Sequence, residues 1–461
     1  MLNQQATGTM PRWMVRTVKS KKTVLGGLGL ALLTQQVGAA GFFEDSKADL
    51  TLKNFYINQD QRHGGGARAE EWGQGFFLRY QSGFTQGLVG FGLDAEMLYG
   101  LRLDSGGRAG KAGITRTPGT MFPLDHDGSA ENGFGRLIPT VKMRISETIF
   151  QYGGLTPKLP VVNSNDGRLL PQTFLGGQVT SKEIKDLTMV AGKLERSYER
   201  NSSNSEPLSI GGGYNNSASL KDRYSNEFYY AGFDYKPMKD LTVRYYFGQL
   251  KDFYDQHFVG LVHKMSLPVG SLTTDLRYFN NDSDGENSSK SGRAEGWRSA
   301  GYWSAGDPDQ YEVDSSLWSA MFTYALGGHS ASLGFQKITG DSDFVYLLKG
   351  QGSSPFIITD MQSQKFTNAG QQTWVAKYGY DFASLGVPGL KASVAHAKGR
   401  EIDAADGNNK EWETDYRVDY VIQSGYLKGL GLTARHAMFR SNDTTDRDET
   451  RLLVNYTIPL L

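Results

Sequence analysis

The sequence predicts an all-β fold, a transmembrane antiparallel β-barrel around an aqueous interior. Three observations lead there. Apolar and polar residues alternate with a period of two from about residue 50 to the end of the chain. Mean hydropathy is negative and only 38% of residues are hydrophobic, yet Gly is 57 of 461 and Tyr and Phe are 24 each. The connections between alternating stretches fall into a tight set and a long polar set. A barrel shows lipid only every second residue, so its overall hydropathy stays polar. No apolar run reaches the ~18 residues of a membrane helix, which excludes that class for the mature chain.

The clearest strand runs from Val89 to Leu103. Val89, Phe91, Leu93, Ala95, Met97, Tyr99, Leu101 and Leu103 share one face, and Gly90, Gly92, Asp94, Glu96, Gly100 and Arg102 share the other. The same pattern recurs around Val141 to Ile145, Leu241 to Phe247, Leu272 to Tyr278, Trp374 to Phe382, Tyr416 to Ile422 and Leu452 to Leu460. Charged residues sit deep inside these strands, and Tyr or Trp falls near their ends, as in an interface girdle. A soluble β-sandwich would place its polar face outward instead.

Tight connections are expected at 235–241, 326–330, 383–389 and 424–430, and long polar ones at 104–138, 199–224, 280–312, 340–371, 399–412 and 441–449. Short turns at one end and long loops at the other are the outer-membrane arrangement, and closure removes unpaired edges from lipid. Roughly 420 mature residues at ~20–25 per strand with its share of loop predict roughly 16 to 20 strands, enough for an aqueous lumen.

Residues 1–40 read as an export signal. Arg12, Arg16, Lys19, Lys21 and Lys22 form a basic segment, Val24 to Leu33 an apolar core too short to span, and Val37-Gly38-Ala39-Ala40 a small-residue cleavage region. One barrel domain is expected over 41–461. The whole chain carries 49 basic and 49 acidic residues, and removal of the five leader cations leaves 44 against 49, a net of −5. That balance gives no general attraction for nucleic acid. Cys is absent, so no disulfide or thiolate metal site forms.

Residues 155–181 break the alternation. Pro157, Pro160, Pro171 and an apolar cluster do not suit a solvated loop. A loop folded inward onto the barrel wall needs this composition, and Asp166 and Arg168 would then stand in a constriction.

Asp166-Gly-Arg-Leu-Leu-Pro-Gln-Thr-Phe174 resembles the constriction loop of the OprD family of porins, the Occ channels of pseudomonads. Gly41-Phe-Phe-Glu-Asp-Ser46 is similar to that family's mature start. Glu71-Trp-Gly-Gln-Gly-Phe76 with Ser82-Gly-Phe-Thr-Gln-Gly87 resembles its first hairpin, and Val141 to Ser146 the strand before the constriction loop. Tyr420 to Gly425 and Asp448 to Tyr456 resemble its last strands. The resemblance spans nearly the whole mature chain.

It implies an eighteen-stranded barrel in the outer membrane of a Gram-negative bacterium, monomeric or a loose homotrimer. It also implies passive uptake of small carboxylate-bearing solutes (organic acids, aromatic acids or amino acids) past a ladder of basic residues. Positions matching that ladder are Lys142, Arg144, Arg168, Arg200, Arg435 and Arg440, with Arg417 on the same path and Asp166 across the constriction. Fixed positive charge lowers the barrier for a carboxylate, and a low-dielectric wall focuses the field. Each such residue also has a structural reading, because lumenal charges pair with one another; Lys142 and Arg144 could meet Asp94 and Glu96. Thr433 and Ala395 stand where the resemblance would place further basic residues, so the ladder is thinner here, and the loop looks more like that of the organic-acid branch.

No Gly-x-Ser-x-Gly, His-Glu-x-x-His, phosphate-binding or calcium loop is present. The seven histidines lack zinc spacing, and neither catalytic residues, metal nor cofactor is expected. A barrel enzyme of lipase or protease type would need a Ser-His pair at matching depth on adjacent strands. An adhesin would place its function in the long loops.

Overall fold

The computed structural model describes residues 41–62, 66–211, 223–348, 353–405, 407 and 409–461. The export signal expected over 1–40 lies outside the described residues.

Eighteen strands form one closed antiparallel barrel. In chain order they are β1 (Lys47–Gln61), β2 (Arg68–Gln81), β3 (Val89–Ser105), β4 (Gly133–Ile145), β5 (Thr148–Leu155), β6 (Thr173–Ser181), β7 (Leu187–Tyr198), β8 (Phe228–Met238) and β9 (Leu241–Leu250). The second half comprises β10 (Tyr254–Ser266), β11 (Ser271–Ser283), β12 (Asp314–Leu326), β13 (His329–Thr339), β14 (Gln372–Asp381), β15 (Leu390–Ile402), β16 (Asn409–Val421), β17 (Gly431–Ser441) and β18 (Arg447–Pro459). Each pairs with its neighbour in sequence, and β1 closes on β18 from Asp49 opposite Pro459 to Gln61 opposite Arg447. Closure leaves every strand paired on both sides, the condition for backbone stability in lipid.

The connections sort by end. The four tight connections expected from the sequence fall after even-numbered strands, on the end that also holds the start of β1 and the end of β18, while at the other end β9 and β10 are joined by only residues 251–253. The β12–β13 connection is the two-residue Gly327-Gly328, with Gly327 at φ +56°, the left-handed geometry that matches hairpin twist. The long connections fall after odd-numbered strands. Strands reach further into them than alternation predicts: β4 already begins at Gly133, β11 runs to Ser283, and β15 and β16 extend to Ile402 and from Asn409. Above the lipid both strand faces meet water, so the period-two signal fades while the ladder continues.

The β3 faces are as expected. Phe91, Met97, Tyr99 and Leu103 are exposed on the outer wall, while Gly90, Gly92 and Gly100 are buried inside. Leu98, also inward, is fully buried, and it belongs to an apolar cluster with Phe55, Phe77, Phe122, Phe134, Leu169 and Leu170. A second cluster includes Val161, Phe228, Tyr254, Phe279 and Phe344. Both clusters combine inward strand residues with residues of the long loops, so part of the barrel is filled by folded chain.

One boundary differs from the sequence reading. The irregular segment assigned to 155–181 ends at residue 172, and Thr173–Ser181 is barrel strand β6. Gly176 and Gly177 hide its alternation. Gly176 faces β7 at a bulge, where an added Cβ would lie 2.1 Å from the Lys193 carbonyl oxygen.

Candidate functional site

Two of the loops that pack inside the barrel frame a common cavity. The first, residues 156–172, turns back through a small hairpin of Lys158–Leu159 against Val162–Asn163. It reaches opposite walls. Val161 packs at Gly248 of β9, where an added Cβ would lie 2.9 Å from the Val161 Cβ. Leu169 lies in a trough made by glycines of β2 and β3: Cβ atoms at Gly73 and Gly100 would stand 2.7 and 3.0 Å from Leu169 Cδ2. The high glycine content thus has a local purpose, since side chains there would fill the seat of the loop. Polar contacts complete the anchorage. Lys53 of β1 donates to the carbonyls of Asp166 (3.2 Å) and Arg168 (2.5 Å), Arg136 donates to Pro171, and Gln172 Nε2 donates to Ser197 Oγ at 3.0 Å.

The second loop lies between β13 and β14. Alternation marked 340–371 as long and polar, and its inward course was missed. Inward carboxylates of β16 hold it by its backbone: Gln362 N donates to Asp415 (3.0 Å), and Ser363 N and Gln364 N donate to the two oxygens of Glu413 (2.8 and 2.7 Å). From β18, Arg451 donates to the Gln362 carbonyl at 2.8 Å and Arg447 to Ser363 Oγ at 2.6 Å. Ser353 Oγ donates to Gln172 Oε1 at 3.2 Å, joining the two loops. A row of inward carboxylates at 411, 413 and 415, with Phe356, Ile357, Ile358 and Phe366 in an otherwise polar loop, was the available signal.

Between these loops and the β15–β18 wall lies a cavity of about 430 Å³, lined by Arg168, Arg200, Lys365, Arg417, Arg435 and Arg451 against Asp166, Asp360 and Asp415. Six cations against three carboxylates leave a formal +3. A second cavity, of about 370 Å³, is lined by Lys53, Thr51, Asn455 and Thr457. Asp166, Gly167, Arg435 and Arg451 line both.

Arg417, Arg435 and Arg451 stand directly opposite one another on β16, β17 and β18. Like charges so placed repel, which demands compensation. Arg417 has Asp419 (2.5 Å), and Arg451 is paired with buried Glu449. Arg435 makes no ion pair or hydrogen bond to a described residue, and its Nε is buried without a partner.

Of the residues named from sequence, the structure gathers Asp166, Arg168, Arg200, Arg417 and Arg435 around one cavity. Arg168 is 7% exposed, deeper than a residue at a channel surface. Arg200 donates to Asn165 at 3.0 Å. Lys142 and Arg144 lie toward the turn end of β4. Lys142 pairs with Asp94 at 2.6 Å, Arg144 stacks over Phe84, and Glu96 is taken by Arg79 rather than by Arg144. Arg440 is a correction. Five residues from Arg435 on an unbroken strand, it falls on the outer face, beside Trp412 and paired with Asp448 at 2.7 Å. Ala395 lines the larger cavity, and Thr433 donates to Asp419 at 2.6 Å, so neither position adds positive charge. Sequence reasoning missed Lys53, Lys365 and Arg451 as members of the cluster.

The family model described as "outer membrane porin, OprD family" matches residues 40–460. The chain belongs to the OprD family. Among solved structures, OccK8 (OprE) of Pseudomonas aeruginosa is 52% identical with a TM-score of 0.84, over 91% of this chain and 100% of that one. OpdK of Pseudomonas aeruginosa, solved with vanillate, is 34% identical with a TM-score of 0.78, over 91% and 100%. The porin-like protein GalP of Pseudomonas putida is 32% identical over 94% of this chain and 96% of its own length. As an OprD-family member the chain is an outer-membrane channel of a Gram-negative bacterium, and the family's activity is transport rather than catalysis.

Proposed function

We propose that this OprD-family channel passes small carboxylate-bearing solutes down their gradient, through a constriction made by the two inward loops. Arg435 carries the reading. It is a cation without an ion-pair or hydrogen-bond partner among the described residues, shared by the two cavities that Asp166 and Gly167 also line, and flanked by Arg417 and Arg451. A carboxylate entering the larger cavity meets a net positive wall and can form charge-assisted hydrogen bonds to Arg435. Arg451 faces both cavities and hands the solute onward. Arg168, Arg200 and Lys365 hold the field positive, and a low-dielectric wall strengthens it. Lys53 positions the loop. OpdK, solved with vanillate, shows that a relative of this fold accommodates an aromatic carboxylate.

Single-channel recording in planar bilayers tests this. Benzoate is expected to block small, stable conductance steps more strongly than glucose or arginine. The preference falls as salt rises, because the Debye length drops from ~10 Å at 0.1 M to ~3 Å at 1 M. Blocking indifferent to solute charge and to salt would sink the reading. Asp166→Asn removes one carboxylate from both cavities, and the reversal potential in a KCl gradient is expected to move further toward chloride. An unchanged reversal potential would place Asp166 outside the ion path.

A further inference from the structure

The outer wall near the long-loop end carries cations that the transport path does not use. Lys337 of β13, Lys398 and Arg400 of β15 and Lys410 of β16 make no ion pair and no side-chain hydrogen bond among the described residues. They are set among tryptophans. Lys398 stands directly opposite Trp374 on one side and Trp412 on the other, and Lys337 stands opposite Trp318. Trp318 and Trp374 are 44% and 55% exposed on the outer face, and each packs on Phe335, with ring centroids 5.2 and 4.9 Å apart. Such a belt at strand ends marks a membrane–water interface, and the long loops identify it as the external one. The four cations therefore lie at headgroup level of the outer leaflet.

The surroundings do not neutralise them. On the same face Glu401 is engaged by the Gln372 amide, and Arg440 is balanced by Asp448 and Asp446. Among the described residues none of the four cations is ion-paired, although Glu401 and Asp403 lie on the same stretch of wall. From β13 to β16 the patch crosses three strand spacings, or ~15 Å at ~4.8 Å each. One phosphodiester cannot serve cations spread that far, whereas a headgroup with several phosphates can.

We propose that this patch binds the phosphorylated headgroup of lipopolysaccharide. The aromatic belt lies against the acyl region, and Lys337, Lys398, Arg400 and Lys410 reach the phosphates.

Native mass spectrometry of the purified mature protein, titrated with lipid A, dephosphorylated lipid A and phosphatidylglycerol, tests the proposal. Lipid A is expected to bind at least about tenfold more tightly than either other lipid, as several cations near an anionic headgroup require. The combined Lys337→Gln, Lys398→Gln, Arg400→Gln and Lys410→Gln variant is expected to lose that advantage while retaining wild-type conductance. Lys398→Gln alone, a milder change, is expected to lose about threefold. Equal binding of lipid A and its dephosphorylated form would overturn the proposal. So would phosphatidylglycerol binding as tightly as lipid A, or wild-type lipid A binding by Lys398→Gln and the folded combined variant.

Discussion

Arg435→Gln is expected to remove most of the preference for carboxylates while leaving an open, folded channel. Arg435 lines both cavities and has no ion pair or hydrogen bond within the described protein, so no internal contact is lost on substitution. Replacing it also relieves its repulsion with Arg417 on one side and Arg451 on the other. What disappears is the charged donor available to a solute. Hydrogen bonds to charged groups contribute ~1.5–3 kcal/mol, so the apparent benzoate blocking constant should rise about 10- to 100-fold. Chloride-over-potassium selectivity should fall with it. Arg168→Ala should weaken blocking less directly, because the Arg168 side chain is buried and its carbonyl holds Lys53. Unchanged block in Arg435→Gln would remove Arg435 from the path and leave the positive cavity without its assigned role.

Leu169→Asp is expected to widen the channel without unfolding the barrel. Leu169 is fully buried in the glycine trough of β2 and β3, beside Phe122, Phe134 and Leu170. Its burial is worth ~1.5–3 kcal/mol, and an unpaired carboxylate in the same pocket adds a desolvation cost of several kcal/mol. The remaining anchors of residues 156–172 are side-chain hydrogen bonds worth ~0.5–1.5 kcal/mol each, rising to ~1.5–3 for those made by charged groups such as Lys53 and Arg136. They are not expected to keep the loop seated against that penalty. The eighteen-strand ladder closes through β1 and β18 independently of this contact. The expected result is a single-channel conductance at least about twofold higher and noisier, with benzoate block weakened, in a protein that keeps its heat-modifiable gel mobility. Wild-type conductance would show that the loop stays seated or does not limit the pore.

The barrel, the placing of the tight and long connections, and the inward segment around Asp166 to Leu170 are legible in the order of residues alone. The cause is local. Period-two alternation is imposed on every strand by lipid on one side and water or packed loop on the other, so Val89 to Leu103 announces both faces. An irregular run carrying three prolines and buried leucines has no place on a wet surface. Alternation also held the information that Arg440 and Arg435 lie on opposite faces, although resemblance grouped them together.

Which charges meet depends on how the strands are aligned in space. Arg417, Arg435 and Arg451 become a row because the registers of β16, β17 and β18 align them, and register is not written in any one strand. Lys142 pairs with Asp94 across β3 and β4, while Arg435 finds no ion pair among the described residues. The inward course of 353–371 depended on Glu413 and Asp415 accepting its backbone N–H groups across a gap of about fifty residues in sequence. Electrostatic and hydrogen-bond partners are chosen by distance in space. The strand pattern fixes which way a side chain points, and closure of the barrel fixes what it finds there.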